Sequence, residues 1–542
     1  MNNRKRINGK YILLTLLAGF LYRVLIGLQG IDQVDMGASN TFYQTIFTHP
    51  EAMTYSFNYY LTGLAGGLWY QCFGSLGLLG FRLLEALVLT AAVFFVYKAF
   101  ERLLPDTRTA VISILISFLF PCIVTTFHHF TLSFFFLSLA AWCYSKSLYS
   151  RSLPWTFLTG LVLGLSFFVR TGNMALLLLV LIPIVYGVST RQRPLAVRLG
   201  GTMLGGMLTA CILMVAIMLS LGHLDYFFRG LGAAVGYFGN SGILSAVGTL
   251  IVNYANDYIN IILQLLAIVG LGALYIQSSR MTKRWATGLS IFLIIASVVL
   301  IATSQPYLSA IALYTLLCLP IFYAITPKED KLIAAFVVLG TYILPFGTGS
   351  SIASIYHWTG ALLIIPAAAS LCHVSHILRR GALICSIYIA CVMLWKALSF
   401  PYGEQQPRWL CTEQTGDAQL NTYTTAEEAA EYRHILPVIR QYTSQNPWLL
   451  MGNQASEVYY ATESLPYLGT TLLDTFTGQD LLDRLDSQQQ QYQRLPVVVY
   501  LKKSRFAEEE AAEVHPLLQQ WMDTRHYSIA HDDDLLTVFL PR

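Results

Sequence analysis

Tyr11-Ile-Leu-Leu-Thr-Leu-Leu-Ala-Gly-Phe-Leu-Tyr-Arg-Val-Leu-Ile-Gly-Leu28, with Arg4-Lys-Arg6 before it and Gly30-Ile-Asp-Gln-Val-Asp-Met-Gly37 after it, decides how this chain is read. A helix rises about 1.5 Å per residue, so residues 11–28 cover most of the ~30 Å hydrocarbon core of a bilayer. Basic residues flank one end and acids the other. The positive-inside rule then puts the N-terminus in the cytoplasm and Asp32 and Asp35 on the outer face. No small-x-small cleavage site follows, so an uncleaved anchor is expected rather than a signal peptide.

The same pattern recurs along the chain. Apolar stretches of spanning length lie near 78–98, 109–126, 129–147, 154–169, 173–189 and 198–221, and again near 257–277, 285–303, 306–324, 331–346, 353–371 and 381–398. With the first, that makes thirteen crossings. Basic loops test the count: Lys98/Arg102/Arg108, Lys146/Arg151, Arg191/Arg193/Arg198, Arg280/Lys283/Arg284, Lys328/Lys331 and Arg379/Arg380 fall on alternate connections, the side of Lys10. The five basic residues left over, Arg23, Arg82, Arg170, Arg229 and Lys396, map to the outer side. One missed or invented span would scramble that alternation.

Composition divides the chain near Pro401. Residues 1–400 hold 24 of the 34 Lys and Arg but 10 of the 30 Asp and Glu, a net of +14, and residues 401–542 carry a net of −10. Only 12% of the chain is charged, about half the share in soluble domains. The positive half is the membrane half, which argues against nucleic acid as a partner. Nine cysteines include no CxxC pair, and eight precede Pro401, where small buried hydrophobes explain them. The expected fold is therefore a polytopic α-helical membrane protein with about thirteen spans (residues 1–400) and a C-terminal soluble α/β domain (residues 401–542). In the tail, helical patterns at Glu427–Tyr442, Ser456–Ala461, Gln479–Gln489 and Ala507–Met522 alternate with strands at Trp448–Met451, Pro496–Tyr500 and Leu535–Leu540. Asp532-Asp-Asp534 reads as a solvated turn before the last strand. Gly452-Asn453 lacks any phosphate-loop pattern, so no nucleotide site is expected there. The first outer loop, 29–77, carries aromatic, partly amphipathic segments (Phe42 to Phe47, Tyr55 to Tyr70) that suggest helices along the membrane surface.

Ionisable groups at a membrane face are costly unless paired or used, which singles out Asp32 and Asp35. A carboxylate there is placed to take a proton from a hydroxyl, or to cap the helix that follows. The order of features around it resembles the GT-C superfamily of glycosyltransferases. An acid follows helix one, then Tyr43, Pro50 and Phe73-Gly74 lead to Phe81-Arg82-Leu83 at helix two. Phe120-Pro121 closes helix three, Gly160-Leu-Val-Leu-Gly164 precedes Phe168-Val-Arg170, and Ile355-Tyr-His-Trp358 is followed by Pro366. The lipid A aminoarabinose transferases and the protein O-mannosyltransferases are the nearest branches by this measure. The former share thirteen helices and a periplasmic α/β domain.

The resemblance implies a multi-pass inner-membrane enzyme with its C-terminal domain outside the cytoplasm. It would move a sugar from a polyprenyl-phosphate donor to a lipid, glycan or protein acceptor, among membrane lipids. Asp35 matches the family's first-loop acid and would be the general base, with Asp32 the competitor for that role. Arg170 and Arg229 would bind the donor phosphate, with His357, His128 and His129 secondary. Arg82 is a further candidate that equally reads as a snorkelling interface residue. Two departures bear on metal: Met36, not Glu, follows Asp35, and the second outer loop carries His128-His129 where an acid is common. Hard cations want carboxylate oxygens, so no metal or other cofactor is expected, a divalent ion being the one possibility left. Two other functions fit a polytopic chain. A lipid-linked-glycan polymerase or ligase would place its catalytic loop between late helices. A flippase-type transporter would show an internal repeat and charged or broken helices at mid-bilayer.

Overall fold

The computed structural model describes residues 7–120, 125–239, 306–324, 327–345, 356–371, 376–476, 478–502 and 511–542, with isolated positions between 251 and 259. Helix α1 (Gly9–Ile26) starts where the Asn8 side chain accepts from Lys10 N. It is followed by α2 (Asp35–Thr45), a 3-10 segment (Pro50–Tyr59), α3 (Tyr60–Phe73), α4 (Gly77–Phe100) and α5 (Thr107–Leu119). Then come α6 (His129–Ser150), α7 (Leu153–Val169), a 3-10 segment (Thr171–Val180), α8 (Leu181–Ser189), α9 (Arg193–Leu221) and α10 (Leu224–Gly239). Later helices are α11 (Pro306–Ala324), α12 (Lys328–Ile343), α13 (Tyr356–Ser370) and α14 (His376–Ser399). The stretches 257–277 and 285–303 lie outside the described residues. Several of the described helices, such as Gly9–Ile26 and Arg193–Leu221, are long and apolar enough to cross a membrane. The chain is a polytopic helical membrane protein.

The glycines of α7 have a packing reason. A Cβ on Gly160 would stand 1.9 Å from the Met203 carbonyl oxygen, and one on Gly206 would stand 2.2 Å from that of Phe157. The two helices therefore approach backbone to backbone, the small-residue contact that lipid-embedded helices use in place of hydrophobic collapse.

The helices between α1 and α4 bury many of their apolar residues against the rest of the protein. Phe42, Tyr43, Ile46, Met53, Phe57, Tyr60 and Leu64 are all buried, in one cluster with Phe168, Met214, Tyr432 and Val458. These residues pack against both the helical bundle and the C-terminal residues.

The tail holds α15 (Ala426–Thr443), α16 (Ser456–Thr462), α17 (Gln479–Tyr492) and α18 (Ala511–Thr524). Thr425 caps α15: its Oγ1 accepts from Glu428 N at 3.3 Å. Strands β1 (Glu413–Gln414) and β2 (Tyr423–Thr424) pair with each other. The main sheet comprises β3 (Trp448–Met451), β4 (Leu465–Pro466), β5 (Val497–Leu501), β6 (Tyr527–Asp532) and β7 (Leu536–Pro541), in the order β4-β3-β5-β7-β6. β3 runs parallel to β4 and β5, and β7 antiparallel to β5 and β6. Successive strand residues face opposite sides. Leu449, Met451, Val497, Val499 and Val538 face the first loop and α15, whereas Leu450 and Val498 face Leu481, Leu485, Leu518 and Trp521 of α17 and α18. Strand β6 escaped the sequence reading because it is an edge strand with little apolar alternation.

Candidate active site

Helix α7 ends at Val169, and Arg170 follows in extended backbone. The end of α7 is fixed by side chains from elsewhere. Asn173 Nδ2 donates to Ser166 O (3.0 Å) and to Ser133 Oγ on α6 (2.7 Å), and Thr62 Oγ1 donates to Val169 O (2.8 Å). Arg170 is thereby held as a buried residue, 3% exposed, with its guanidinium over the Phe130 ring at 5.3 Å. His128 and His129 open α6 next to it. Their rings lie 3.8 Å apart, and His129 stacks on Tyr59 at 4.0 Å and 12°. Burial, and secondarily Arg170, pulls the His128 imidazole down to about 3. That ring is neutral at pH 7 and offers a neutral hydrogen bond. Its Nδ1 and the buried hydroxyls of Thr125 and Thr126 have no hydrogen-bond partner among the described residues. Buried polar groups are nearly always partnered, so three such groups on one loop mark a place where another molecule can dock.

Asp35 is exposed at the start of α2. The helix dipole favours an anion at that end. The Tyr59 hydroxyl lies within electrostatic reach of both Asp35 and Arg170. A carboxylate, a phenol, two imidazoles and a guanidinium are thus contributed by three interhelical segments. Tyr59 escaped the sequence reading, since it is one of many aromatics in the loop.

Asp32 has a different set of contacts. Its Oδ2 accepts from Met36 N at 2.7 Å and from Tyr402 OH at 3.3 Å, so it caps α2. Burial pushes its carboxyl upward against those hydrogen bonds. Tyr402 sits in a turn that interlocks with the acid loop. Gly30 (φ +94°) and Gly403 (φ +80°) adopt left-handed backbone that favours glycine. A Cβ on Gly30 would lie 2.3 Å from the Tyr402 carbonyl, and one on Gly403 would lie 2.4 Å from the Ile31 carbonyl. Beneath Asp32 lies Glu457 of α16, 1% exposed, whose Oε1 accepts from Tyr432 OH at 3.2 Å. Burial pushes its carboxyl well above the usual range.

The other sequence candidates stand apart from Arg170. Arg82 is buried and donates to the Gly27 and Gly30 carbonyls and to Thr422 Oγ1 (2.6 Å). These bonds clamp the acid loop to the C-terminal residues. Arg229 is exposed and paired with Asp225, one turn away on α10, at 2.7 Å. The His357 side chain lies outside the described residues. Among the described residues, no third His, Cys, Asp or Glu joins His128 and His129 within ligating distance of one ion.

Comparison with protein-family models gives no match, and neither does comparison with curated proteins. Among solved structures, the chain is similar to the crystal structure of ArnT from Cupriavidus metallidurans bound to undecaprenyl phosphate. Identity is 14%, the TM-score is 0.40, and 98% of each chain is covered.

Proposed function

We propose that the chain is an integral membrane glycosyltransferase that moves a sugar from a polyprenyl-phosphate donor to an acceptor hydroxyl at the outer face. The observation that carries this reading is the convergence of Asp35, Tyr59, His128, His129 and Arg170 from separate segments onto one rim. In the proposed reaction the acceptor O–H gives its proton to the Asp35 carboxylate as its oxygen bonds the anomeric carbon. The bond from that carbon to the phosphate oxygen breaks, and polyprenyl phosphate leaves with added negative charge. Arg170, held rigid by the end of α7, stabilises that charge as it develops. His128 and the Thr125 and Thr126 hydroxyls complete the phosphate's hydrogen bonds. No metal is assigned to the transfer. Residues 1–400 form the membrane domain, and residues 401–542 roof the acid loop on the outer side. The acceptor is a lipid, a glycan or a protein.

Polar groups at the rim favour this reading over a flippase, which needs them along a path through the membrane. The test is turnover. Purified protein is given a labelled polyprenyl-phosphate pentose or hexose and a membrane extract as acceptor. Label should pass into acceptor with release of polyprenyl phosphate. Label that crosses the bilayer while still attached to its polyprenyl phosphate would instead establish transport.

A further inference from the structure

The closing hairpin of the C-terminal sheet carries a cluster that the proposed transfer does not use. Asp532-Asp-Asp534 makes the turn between β6 and β7, and Asp533 divides its two oxygens between different tasks. Oδ1 closes the turn by accepting from Leu535 N (2.8 Å) and Leu536 N (2.9 Å). Oδ2 faces two imidazoles, His531 Nε2 from β6 and His434 Nε2 from α15, each at 2.7 Å. Lys502 steadies the same turn through Asp532 Oδ1 at 2.8 Å. The ligating atoms of His434, His531 and Asp533 all lie within 4.8 Å of one another, and all three side chains are reachable from solvent, at 49%, 31% and 25% exposure.

Two imidazole nitrogens and one carboxylate oxygen are the donor set of borderline transition-metal ions, with bonds of about 2.0–2.2 Å to zinc. Calcium and magnesium want more oxygens than this corner offers. Around a tetrahedral ion with such bonds the ligand atoms stand about 3.3 Å apart, so the two 2.7 Å contacts have to open by roughly half an ångström. Both histidines are at the surface, where rotation of a ring supplies that movement. We propose that His434, His531 and Asp533 form a binding site for a divalent transition-metal ion of the zinc class, with one coordination position open to water. The ion clips α15 to the β6–β7 hairpin. α15 also carries Tyr432, which contacts Glu457 beneath the acid loop, so the clip fixes the helix that backs that loop.

The test uses full-length protein in detergent, stripped with a chelator and then titrated with zinc or cobalt(II). Wild type should bind one ion at this site, develop the visible bands of tetrahedral cobalt(II), and unfold at a higher temperature with zinc. His434→Ala and His531→Ala should each weaken binding at least about 10-fold and abolish the thermal shift, whereas His129→Ala should keep both. Wild-type protein with no cobalt bands and no zinc shift overturns the proposal. So does a His434→Ala variant that binds as tightly as wild type. Should His531→Ala fail to fold, the cobalt spectrum of wild type and the exposed His434 position still decide the matter.

Discussion

Arg23 on α1 and Glu85 on α4 face each other at 2.8 Å, with neither side chain more than 1% exposed. A second contact, Arg23 Nε to Glu85 Oε2 at 3.4 Å, makes the pair two-pronged. Removing one partner of such a pair strands a buried charge, at a typical cost of about 3–5 kcal/mol. Glu85→Ala should therefore lower the apparent unfolding temperature and the membrane yield sharply. An apolar replacement of both, Arg23→Met with Glu85→Leu, should recover most of the loss. Equal thermal midpoints for Glu85→Ala and wild type would show that the pair contributes nothing to stability.

Asp35 is assigned the proton-accepting step, which is typically worth about 10²–10⁴-fold. Asp35→Asn should cut sugar transfer by that factor while donor binding and abundance stay near wild type. Asp32→Asn keeps a hydrogen-bond acceptor for Met36 N, so its transfer rate should fall far less. If Asp32→Asn alone abolishes transfer, the base moves three residues toward the N-terminus. Wild-type rates in both variants and in the double variant would remove the first loop from the chemistry.

Arg170 is assigned to the leaving phosphate. A hydrogen bond to a charged group contributes on the order of 2–3 kcal/mol, so Arg170→Ala should slow turnover by one to two orders of magnitude. Arg170→Lys should recover only part, because a point ammonium lacks the planar fork. Single-turnover assays with a labelled donor decide it. Alanine turnover equal to wild type would take Arg170 out of the site.

Glu457 gives a pH-dependent prediction. Burial raises its folded pKa above the unfolded value of about 4.3. Below the unfolded value the carboxyl is protonated in both states and its contribution to stability is whole. As pH rises through the higher folded value, that contribution is lost. Glu457→Gln stays neutral throughout and preserves an acceptor for Tyr432. Its unfolding temperature should match wild type below about pH 4 and exceed it increasingly as pH rises above that. Parallel curves for the two proteins would mean that Glu457 is charged in the fold.

Orientation has its own check. Alkaline-phosphatase fusions after Asp225, Ser350 and Leu450 should be active, and those after Leu195, Met281 and Leu378 silent. Activity after Met281 with silence after Leu450 would dismantle the thirteen-span arrangement.

What the sequence reveals and what it hides divide along physical lines. Apolar length and basic loops are local signals, so the membrane helices and the strands Trp448–Met451 and Val497–Leu501 are legible in it. Gly160 and Gly164 are visible as a motif, but their purpose needs α9, some forty residues on, to be seen against them. Glu85 passes unnoticed because its partner is 62 residues away, and no periodicity announces an ion pair. Asp32 and Asp35 look equivalent as letters. They separate only in three dimensions, where Asp32 accepts from Met36 N and Tyr402 OH and Asp35 is the more exposed of the two. Arg82 illustrates the reverse case. Its place at the start of α4 reads as a phosphate ligand or an interface residue, and only the structure shows that it also donates to the carbonyls of Gly27 and Gly30. His434 and His531 meet only because β6 pairs beside β7, and that strand has no apolar pattern to betray it.

The interlocked turns at Gly30 and Gly403 also impose an order on assembly. Asp32 and Tyr402, which touch across them, are 370 residues apart. At about 5–20 residues per second of synthesis, the acid loop emerges on the order of half a minute before Tyr402 exists. Throughout that interval the loop waits beside the growing bundle without the residues that later cover it. Only a chain that has threaded its last helix can deliver Tyr402 and close the turn. The two glycines thus make insertion of the last membrane helix a condition for closing the acid loop.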